Sequence, residues 1–324
     1  MCKWMAGAAV AAMLAGAVAP AGAQQAALEG PLTIVVGFAP SGTADRVARL
    51  VASRLAERVG VPVVVENKSG AGGRIAAQGM RAVSAEQNVL MLANPAVMVV
   101  GPLVYAKPGY DPQRDFKPVS LVTRYKFALA VPPDSQIKNL ADLRQWIEAH
   151  PRQLTIGVPA TGSLPHFFAL MLGRELKEQP EVVGYRGSTP VINELVGGVL
   201  PQGITTLDTL LPLAGSGKVR ILAVSGEKRD ADLPDVPTFR EEGVDLVAEG
   251  WNAFFAPAAM PQARIERLGA DIAAVMKEPE MQEAVRAAFL EPVSMDAGAT
   301  AEALAAYQKQ WEPVVRASGF KADQ

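Results

Sequence analysis

The chain has 324 residues, a formal net charge of −2 and hydrophobic side chains at 49% of its positions. Its cationic residues are scattered along the sequence, which argues against a nucleic-acid-binding protein because such proteins carry a basic stripe. The length suggests two domains, each large enough to bury an apolar core. The single cysteine is Cys2, so stability must come from that core and not from disulfides.

The first 23 residues are typical of a secretory signal peptide. An almost wholly apolar run extends from Met5 to Val18, and Ala21-Gly22-Ala23 supplies a small-residue cleavage site before Gln24. A transmembrane anchor is the alternative, but an apolar run of about 15 residues is shorter than the roughly 20 that a span needs. Cys2 precedes the apolar run, so it is not a lipoprotein cysteine. We therefore expect an exported protein that is cleaved near Ala23.

Short β-branched runs alternate with amphipathic segments of helical length from Leu32 to Ser225. The predicted strands are Leu32–Phe38, Pro62–Glu66, Val89–Ala93, Val119–Thr123, Phe127–Val131, Leu154–Val158, Glu181–Tyr185 and Val219–Ser225. The predicted helices lie near Ala44–Val59, Gly73–Ala82, Asn139–Ala149, Leu164–Leu176, Pro190–Val196 and Leu207–Gly215. This alternation predicts βαβ units and mostly parallel sheets covered on both faces, so the fold class is α/β.

Two sheets are favoured over one. The segment Tyr105–Pro118, rich in Pro, Lys, Gly and Asp, separates the first three strands from the next. The strand at Val119–Thr123 leads through Arg124-Tyr125-Lys126 directly into the strand at Phe127–Val131, as a chain crossing between domains would. After Ser225 the predicted order is turns, one extended segment and three helices, at Leu246–Ala256, Pro261–Met276, Pro279–Phe289 and Thr300–Ala317.

Four turns each follow a predicted strand and open a predicted helix. They are Pro40-Ser41-Gly42-Thr43, Asn94-Pro95, the run from Pro159 to His166, and Arg186–Pro190. The first amides of a helix are unpaired and its dipole favours negative charge, and ligands of open α/β sheets bind at the carboxyl ends of the strands. The four turns therefore suit a small molecule with two carboxylates. The alternative is purely structural, because Gly, Ser, Thr and Pro start helices in any βαβ protein.

For several individual residues the sequence allows either a role in ligand binding or a purely structural role. His166 either contacts a ligand or supports its turn, and Asp45 is better explained by turn support, since in the cleft it would repel an anion. Asp208 has the same ambiguity, while Tyr185 and Trp251 either wall a cleft or fill the core. The sequence shows no nucleophile–base pair and no metal-ligand spacing, and the glycine turn near residue 70 lacks the remainder of a dinucleotide motif. We therefore predict no catalytic residues, no metal and no cofactor.

Several motifs together resemble one family, the periplasmic substrate-binding proteins of tripartite tricarboxylate transporters, also called the Bug family. The resemblance spans nearly the whole mature chain and is carried by IVVGFAP-SGTAD, ARL, VPVVVENKSGAGG, YDPQRDFKPVS, GSLPH, GYRGSTP, LVGG, LDTLLP, SGKVRILAV and LPDVPTFREEG. The chain differs from the family where Ser41-Gly42 replaces the usual two glycines, and also at Ala85–Asn88, Val199–Gln202 and Gly184–Gly187.

This resemblance implies the type II periplasmic-binding-protein fold, with two α/β lobes, a hinge and a ligand cleft between the lobes. The expected domains are residues 24–124 plus 251–324 for one lobe and 125–250 for the other. The resemblance assigns ligand-binding roles to Ser41, Gly42, Thr43, Thr161, Gly162, Ser163 and His166, and also to Asn94, Tyr185, Gly187 and Asp208.

The implied function is capture of a small organic carboxylate in the periplasm and its delivery to membrane transporter subunits, by a protein that acts as a monomer. One alternative is presentation of the bound ligand to a membrane sensor kinase. Two others are a periplasmic enzyme, such as a hydrolase, and an interaction module that has lost its ligand.

Overall fold

The computed structural model describes residues 28–322, so the predicted signal peptide and its cleavage site lie outside the described residues. Within this range the strands are β1 (Leu32–Val36), β2 (Val63–Asn67), β3 (Val89–Ala93), β4 (Phe116–Val131), β5 (Thr155–Val158), β6 (Glu181–Gly184), β7 (Gly203–Thr206), β8 (Arg220–Val224), β9 (Glu249–Pro257) and β10 (Glu291–Pro292). The helices are α1 (Thr43–Val59), α2 (Arg74–Met80), α3 (Gly101–Val104), α4 (Pro112–Asp115), α5 (Leu140–Ala149), α6 (Leu164–Glu175), α7 (Ser188–Val196), α8 (Leu207–Gly215), α9 (Gln262–Lys277), α10 (Pro279–Ala287) and α11 (Ala297–Ala317). A π-helical turn, Ala96–Val100, precedes α3. None of the helices in residues 28–322 is long and apolar enough to cross a bilayer.

The strands form two mixed sheets that share β4. In the first sheet β1 pairs in parallel with β2 and β3, and β9 joins β3 to β4 in antiparallel fashion. In the second sheet β5 is parallel to β6 and β7, and β7 and β8 are antiparallel to β4. We call the first sheet with its helices the first lobe and the second sheet with its helices the second lobe.

The chain crosses from the first lobe to the second along β4. It crosses back along the loop that joins β8, which ends at Val224, to β9, which begins at Glu249. Up to Lys126, β4 pairs with β9, and from Phe127 it pairs with β7 and β8. Ser225 links the two crossings, because its Oγ accepts a hydrogen bond from the Phe127 N–H (2.8 Å) and its carbonyl accepts one from the Ala248 N–H (2.9 Å). These residues connect the two lobes both covalently and by hydrogen bonds.

One apolar core extends through both lobes and includes residues from β1, α1, β4, α6, β9 and α11. A second, smaller core lies between the second sheet and helices α7 and α8, and contains Val191, Leu195, Leu207 and Leu210. The α1 segment shows why these helices form where they do. Its apolar residues recur at helical spacing on one buried face, and Gly60 ends the helix with a left-handed φ of 73°.

The predicted α/β class is confirmed, but the expectation of mostly parallel sheets is wrong, because five of the nine strand pairings among residues 28–322 are antiparallel. Several element predictions also need correction, and the short elements α4 and β10 were not predicted. The two strands predicted at Val119–Thr123 and Phe127–Val131 are a single 16-residue strand, because pairing with β9 continues across Arg124–Lys126. Strand β7 was not predicted; it has four residues and its start at Gly203 lacks a side chain for any periodic pattern. The π-helical turn and α3 were also missed, since their apolar residues give no helical stripe.

Candidate functional site

The parallel strands of each sheet end in turns that lead directly into helices. In the second lobe these turns touch one another, because the Gly187 N–H donates to the Pro159 carbonyl (2.7 Å) and the Thr205 hydroxyl donates to Ser188 Oγ (2.7 Å). The ends of β5, β6 and β7 therefore form one continuous edge. We call Ala39–Thr43 the first turn, Pro159–Ser163 the second turn and Tyr185–Gly187 the third turn.

The first turn meets the start of α8 across the space between the lobes. Thr43 Oγ1 donates to Asp208 Oδ2 (2.8 Å), and Arg46 forms an ion pair with the same carboxylate. Thr43 Oγ1 also lies 3.4 Å from Thr206 Oγ1. The structure is therefore in a closed arrangement, in which side chains of the two lobes bond directly.

The two charged partners of this contact, Asp208 and Arg46, differ in their exposure to solvent. The Asp208 side chain is fully buried, whereas the Arg46 side chain is 36% exposed. Asp208 Oδ1 has no hydrogen-bond partner among residues 28–322. Burial raises the pKa of Asp208, although hydrogen bonds from Thr206 and Thr43 and the charge of Arg46 oppose this change. Asp208 is thus a costly buried charge that depends on its cationic neighbour.

The first turn is held by Asp45, as the sequence predicts. Its carboxylate accepts hydrogen bonds from the Ser41 N–H (2.9 Å) and from Asn67 Nδ2 (2.9 Å), and it pairs with Arg49. Burial alone would raise the pKa of Asp45, but these bonds outweigh it and hold the pKa below its ordinary value. The support is needed because Ser41 has a φ of 67°, a left-handed conformation that costs a non-glycine residue on the order of 1 kcal/mol.

The second turn is held by His166. The Gly162 N–H donates to His166 Nδ1 (2.9 Å), so this nitrogen carries no proton and the ring is neutral. The ring is 6% exposed, and burial lowers the pKa of His166. Ser163 Oγ donates to the Ala160 carbonyl (2.6 Å), and Thr161 is exposed at the tip of the turn. Here the histidine supports the turn, which was one of the two readings of the sequence.

The remaining predicted residues have more local partners. Asn94 Oδ1 accepts the Ala96 N–H (3.1 Å) and so starts the π-helical turn at the end of β3. The Tyr185 ring packs against the smaller core, and its hydroxyl donates to Glu194 in α7. Burial and this acidic neighbour raise the pKa of Tyr185 to about 12. Trp251 is 4% exposed and lies in the main core, so of its two predicted roles it fills the core and does not wall the cleft.

The helices that start at the cleft have no side-chain caps. Within residues 28–322, no N-cap side chain bonds to the backbone of α1, α6, α7 or α8, whose N-cap residues are Gly42, Ser163, Gly187 and Thr206. By contrast α4, α5 and α11, which start elsewhere, are capped by Asp111, Asn139 and Asp296. Helices α9 and α10 also lack caps, so it is the meeting of several free N-termini at one edge that favours an anion.

Three residues near the cleft are absent from the predicted ligand-binding residues: Arg46, Ser188 and Thr206. Ser188 does lie in one of the four predicted turns, Arg186–Pro190. Arg46 lies one helical turn after Thr43, which is the one signal that could have placed it on the same face. The described residues 28–322 hold no group of three or more His, Cys, Asp or Glu side chains suited to a metal ion.

Comparisons with known proteins agree with this architecture. Residues 47–320 match the family model described as the tripartite tricarboxylate transporter family receptor. The chain is 30% identical to BugT of Bordetella pertussis, over 90% of each chain, and 27% identical to a protein encoded between tcbD and tcbE in a Pseudomonas strain, over 91% of this chain and 88% of that one.

Solved structures extend the match to the fold. Rpa4515 of R. palustris, described with adipate, superposes with a TM-score of 0.85 at 31% identity, covering 90% of this chain and 98% of that one. MatC of Rhodopseudomonas palustris, described with bound malate, gives 0.81 at 27% identity over 88% and 98%. The periplasmic binding protein BugD gives 0.82 at 27% identity over 91% and 99%. The expected two-lobed type II periplasmic-binding-protein fold is therefore confirmed, and the chain belongs to the tripartite tricarboxylate transporter receptor family.

Proposed function

We propose that this protein captures a small organic acid with one or more carboxylates in the cleft between its lobes. The observation that carries the proposal is the set of helix N-termini without side-chain caps that both lobes place at the cleft. Unpaired backbone amides and a helix dipole stabilise a carboxylate without a cationic side chain. Relatives described with adipate and with malate support the same ligand class.

The residues proposed to contact the ligand come from both lobes. The first lobe contributes Ser41, Gly42, Thr43 and Asn94, and the second contributes Thr161, Gly162, Ser163, Gly187 and Asp208. His166 acts by holding the second turn, and Tyr185 acts by packing on the smaller core and bonding to Glu194 near the end of α7. None of these residues has a partner arrangement for covalent or acid–base catalysis within residues 28–322, so binding without turnover is the proposed activity.

Capture works by closure of the two lobes. The proposed lobes are residues 24–124 with 251–324, and residues 125–250, which rotate about the crossings at β4 and Ser225. A ligand that bonds to both lobes stabilises the closed arrangement and shifts the population towards it. Membrane transporter subunits then receive the ligand from the exported, monomeric protein in the periplasm.

A thermal-shift panel on the chain from Gln24 to Gln324, refolded to remove any co-purified ligand, tests this function. Mono-, di- and tricarboxylates, amino acids and aromatic acids would be added in large excess. A ligand at 100 times its Kd stabilises the protein by about 2.7 kcal/mol, which raises the melting temperature of a chain of about 300 residues by roughly four degrees. A rise with one class of acid supports the proposal, and a flat panel with folded protein contradicts it.

Two variants then test the site. Thr43→Trp and Ser163→Trp place a bulky ring where the lobes meet, so each should abolish the ligand-induced shift while leaving the ligand-free melting temperature nearly unchanged. Ser53→Trp is the matched control, because Ser53 is an exposed residue on the outer part of α1. Full binding by both cleft variants would remove these turns from the site.

A further inference from the structure

The C-terminal tail, residues 318–322, leaves α11 and lies against both lobes. Its Ala322 N–H donates to the Val104 carbonyl (3.1 Å) at the end of α3 in the first lobe. Its Phe320 ring meets the His166 ring edge-on, with centroids 4.6 Å apart and planes at 84°. Phe320 also packs on Phe167, at 5.8 Å and 79°. A short tail therefore joins the first lobe to the start of α6 in the second lobe.

The same ring lies directly on the second turn. A Cβ atom added at Gly162 would be 3.3 Å from Phe320 Cε1 and 3.9 Å from Val104 Cγ2. Gly162 also has a φ of 75°. The position therefore excludes a side chain both by conformation and by the nearness of the tail.

His166 connects the tail to the backbone of the turn. Its Nδ1 accepts the Gly162 N–H, and this bond requires one orientation of the imidazole. Edge-to-face contact with Phe320 on one side and packing against Phe167 on the other hold the ring in that orientation.

Phe320 contributes little to the anchoring of α11 itself. The fully buried residues of that helix are Thr300, Trp311 and Val315, whereas Phe320 lies beyond its end and is half-buried. Loss of the phenyl ring should thus leave the helix in place and act on the turn.

We propose that Phe320 is a positioning residue for ligand binding, which holds the second turn through His166. The affinity consequence rests on the function proposed above, but the positioning itself does not. Without the ring, the imidazole turns more freely, the Gly162 amide loses its acceptor for part of the time, and the free amides at the start of α6 lose their fixed direction.

The test compares Phe320→Ala with the unsubstituted chain by hydrogen–deuterium exchange in the absence of ligand. Exchange of the segment 159–167 should rise several-fold, and the ¹⁵N signals of His166 should move away from those of a fixed Nε2–H tautomer. The signals are simple to assign, since the chain has two histidines. Leu304→Ala is the control, because Leu304 is a partly buried apolar residue of α11 that packs on the core. Phe320→Tyr should retain the behaviour of the unsubstituted chain.

A double variant tests the route through His166. In a His166→Ala background, Phe320→Ala should produce a much smaller increase in exchange, because the imidazole that transmits most of its effect is gone and only the direct contact with Phe167 remains. With adipate or malate as the probe, Phe320→Ala should weaken binding roughly 2- to 12-fold, the range expected for one edge-to-face aromatic pair.

Unchanged exchange in segment 159–167 of Phe320→Ala would overturn the proposal, as would an equal increase in Leu304→Ala. If the unsubstituted chain binds neither probe nor any acid of the panel, the proposed function fails. The exchange comparison still decides the positioning role, so the two failures are distinguishable.

Discussion

Asp208 and Arg46 differ sharply in their access to water. The Asp208 side chain is fully buried and the Arg46 side chain is 36% exposed. Removal of the arginine therefore leaves a buried carboxylate without a countercharge, whereas removal of the carboxylate leaves a cation that can turn to solvent. Breaking a buried pair from the side of its exposed member is expected to be the costlier change.

Arg46→Met should accordingly weaken ligand binding by about 3 kcal/mol, or roughly 100-fold, and Asp208→Asn by much less. In Arg46→Met the closed state favours a protonated Asp208, so affinity should fall as the pH rises through the raised pKa of this group. Titration calorimetry between pH 5 and pH 8 measures both effects. Arg54→Met removes an exposed arginine that pairs with Glu280 and is the control; equal losses in the two arginine variants would refute the asymmetry.

Protonation of His166 should make the stability of the fold depend on pH. This dependence has the opposite direction, because stability is lost as the pH falls. Burial lowers the pKa of His166 in the folded protein, so the unfolded chain binds this proton more readily. The free energy of unfolding should thus decrease as the pH falls below about 6.5 towards the folded pKa, by about 1.4 kcal/mol for each unit of pKa difference. Urea unfolding at pH 5 and 7 measures this loss. It should be absent in His166→Gln and retained in His150→Gln, whose histidine is exposed and stacks on Trp146.

At the scale of elements, two of the cleft helices, α1 and α6, rely on a residue inside the helix and not on an N-cap for the shape of the preceding turn. The turn before α1 is fixed by Asp45, a residue inside the helix whose carboxylate reaches back to Ser41 and across to Asn67 on β2. The turn before α6 is fixed by His166 in the same way. Support from within the helix leaves the first amides of both helices free for a ligand.

Asp45→Ala should therefore reduce both stability and affinity. It leaves the Ser41 N–H without its acceptor and removes one of the two acceptors of Asn67 Nδ2, which keeps the Phe38 carbonyl. This costs roughly 1 to 3 kcal/mol of unfolding free energy. Because the pKa of Asp45 is lowered, its contribution is present at neutral pH and is lost as the pH falls through the acid range. Asp111→Ala removes the cap of α4 and should cost about 1 kcal/mol without altering affinity. Urea midpoints and calorimetric Kd values separate the two variants, and an unchanged Kd in Asp45→Ala would contradict the role of the turn.

At the scale of the whole molecule, the two lobes are joined by few crossings and by direct bonds across the cleft. Shared strand β4 and the hydrogen bonds of Ser225 form the hinge, while Thr43, Arg46 and Asp208 close the opposite side. Such an arrangement allows rotation of one lobe against the other with little change inside either lobe.

Ligand should shorten the distance between the lobes. Labels at Glu57→Cys on α1 and Glu148→Cys on α5 occupy exposed sites, one on each lobe. The single natural cysteine, Cys2, lies in the predicted signal peptide, so the labelled mature chain carries no other thiol. The distribution of distances between the two spin labels should become narrower and shift to shorter values when an acid from the panel saturates the protein. Thr43→Trp should prevent this change. A distance distribution that does not respond to a ligand of measured affinity would exclude closure as the mechanism.

Local patterns were enough to predict most elements. The β-branched runs, the helical stripe of α1 and the prolines at the starts of α9 and α10 each follow from the physical preferences of neighbouring residues. Most observed bounds lie within two residues of those expected. Strand β7 was missed because it begins at Gly203, directly after Pro201-Gln202, where the sequence favours a turn. The π-helical turn was missed because a uniformly apolar run carries no helical period. The turns of the site were also visible, since a strand, small residues and a helix start occur together in the sequence.

The partners across the cleft could be decided only by the tertiary structure. The sequence left Asp208 ambiguous and gave no reason to single out Arg46, because their contact joins residues 162 positions apart. The role of His166 depends in the same way on Phe320, which lies far along the chain. Sequence by itself determined the elements and the chemistry of their ends, because these depend on neighbouring residues. Which of those ends face one another, and which buried charge has a partner, depends on how the two sheets share β4, and so belongs to the folded molecule alone.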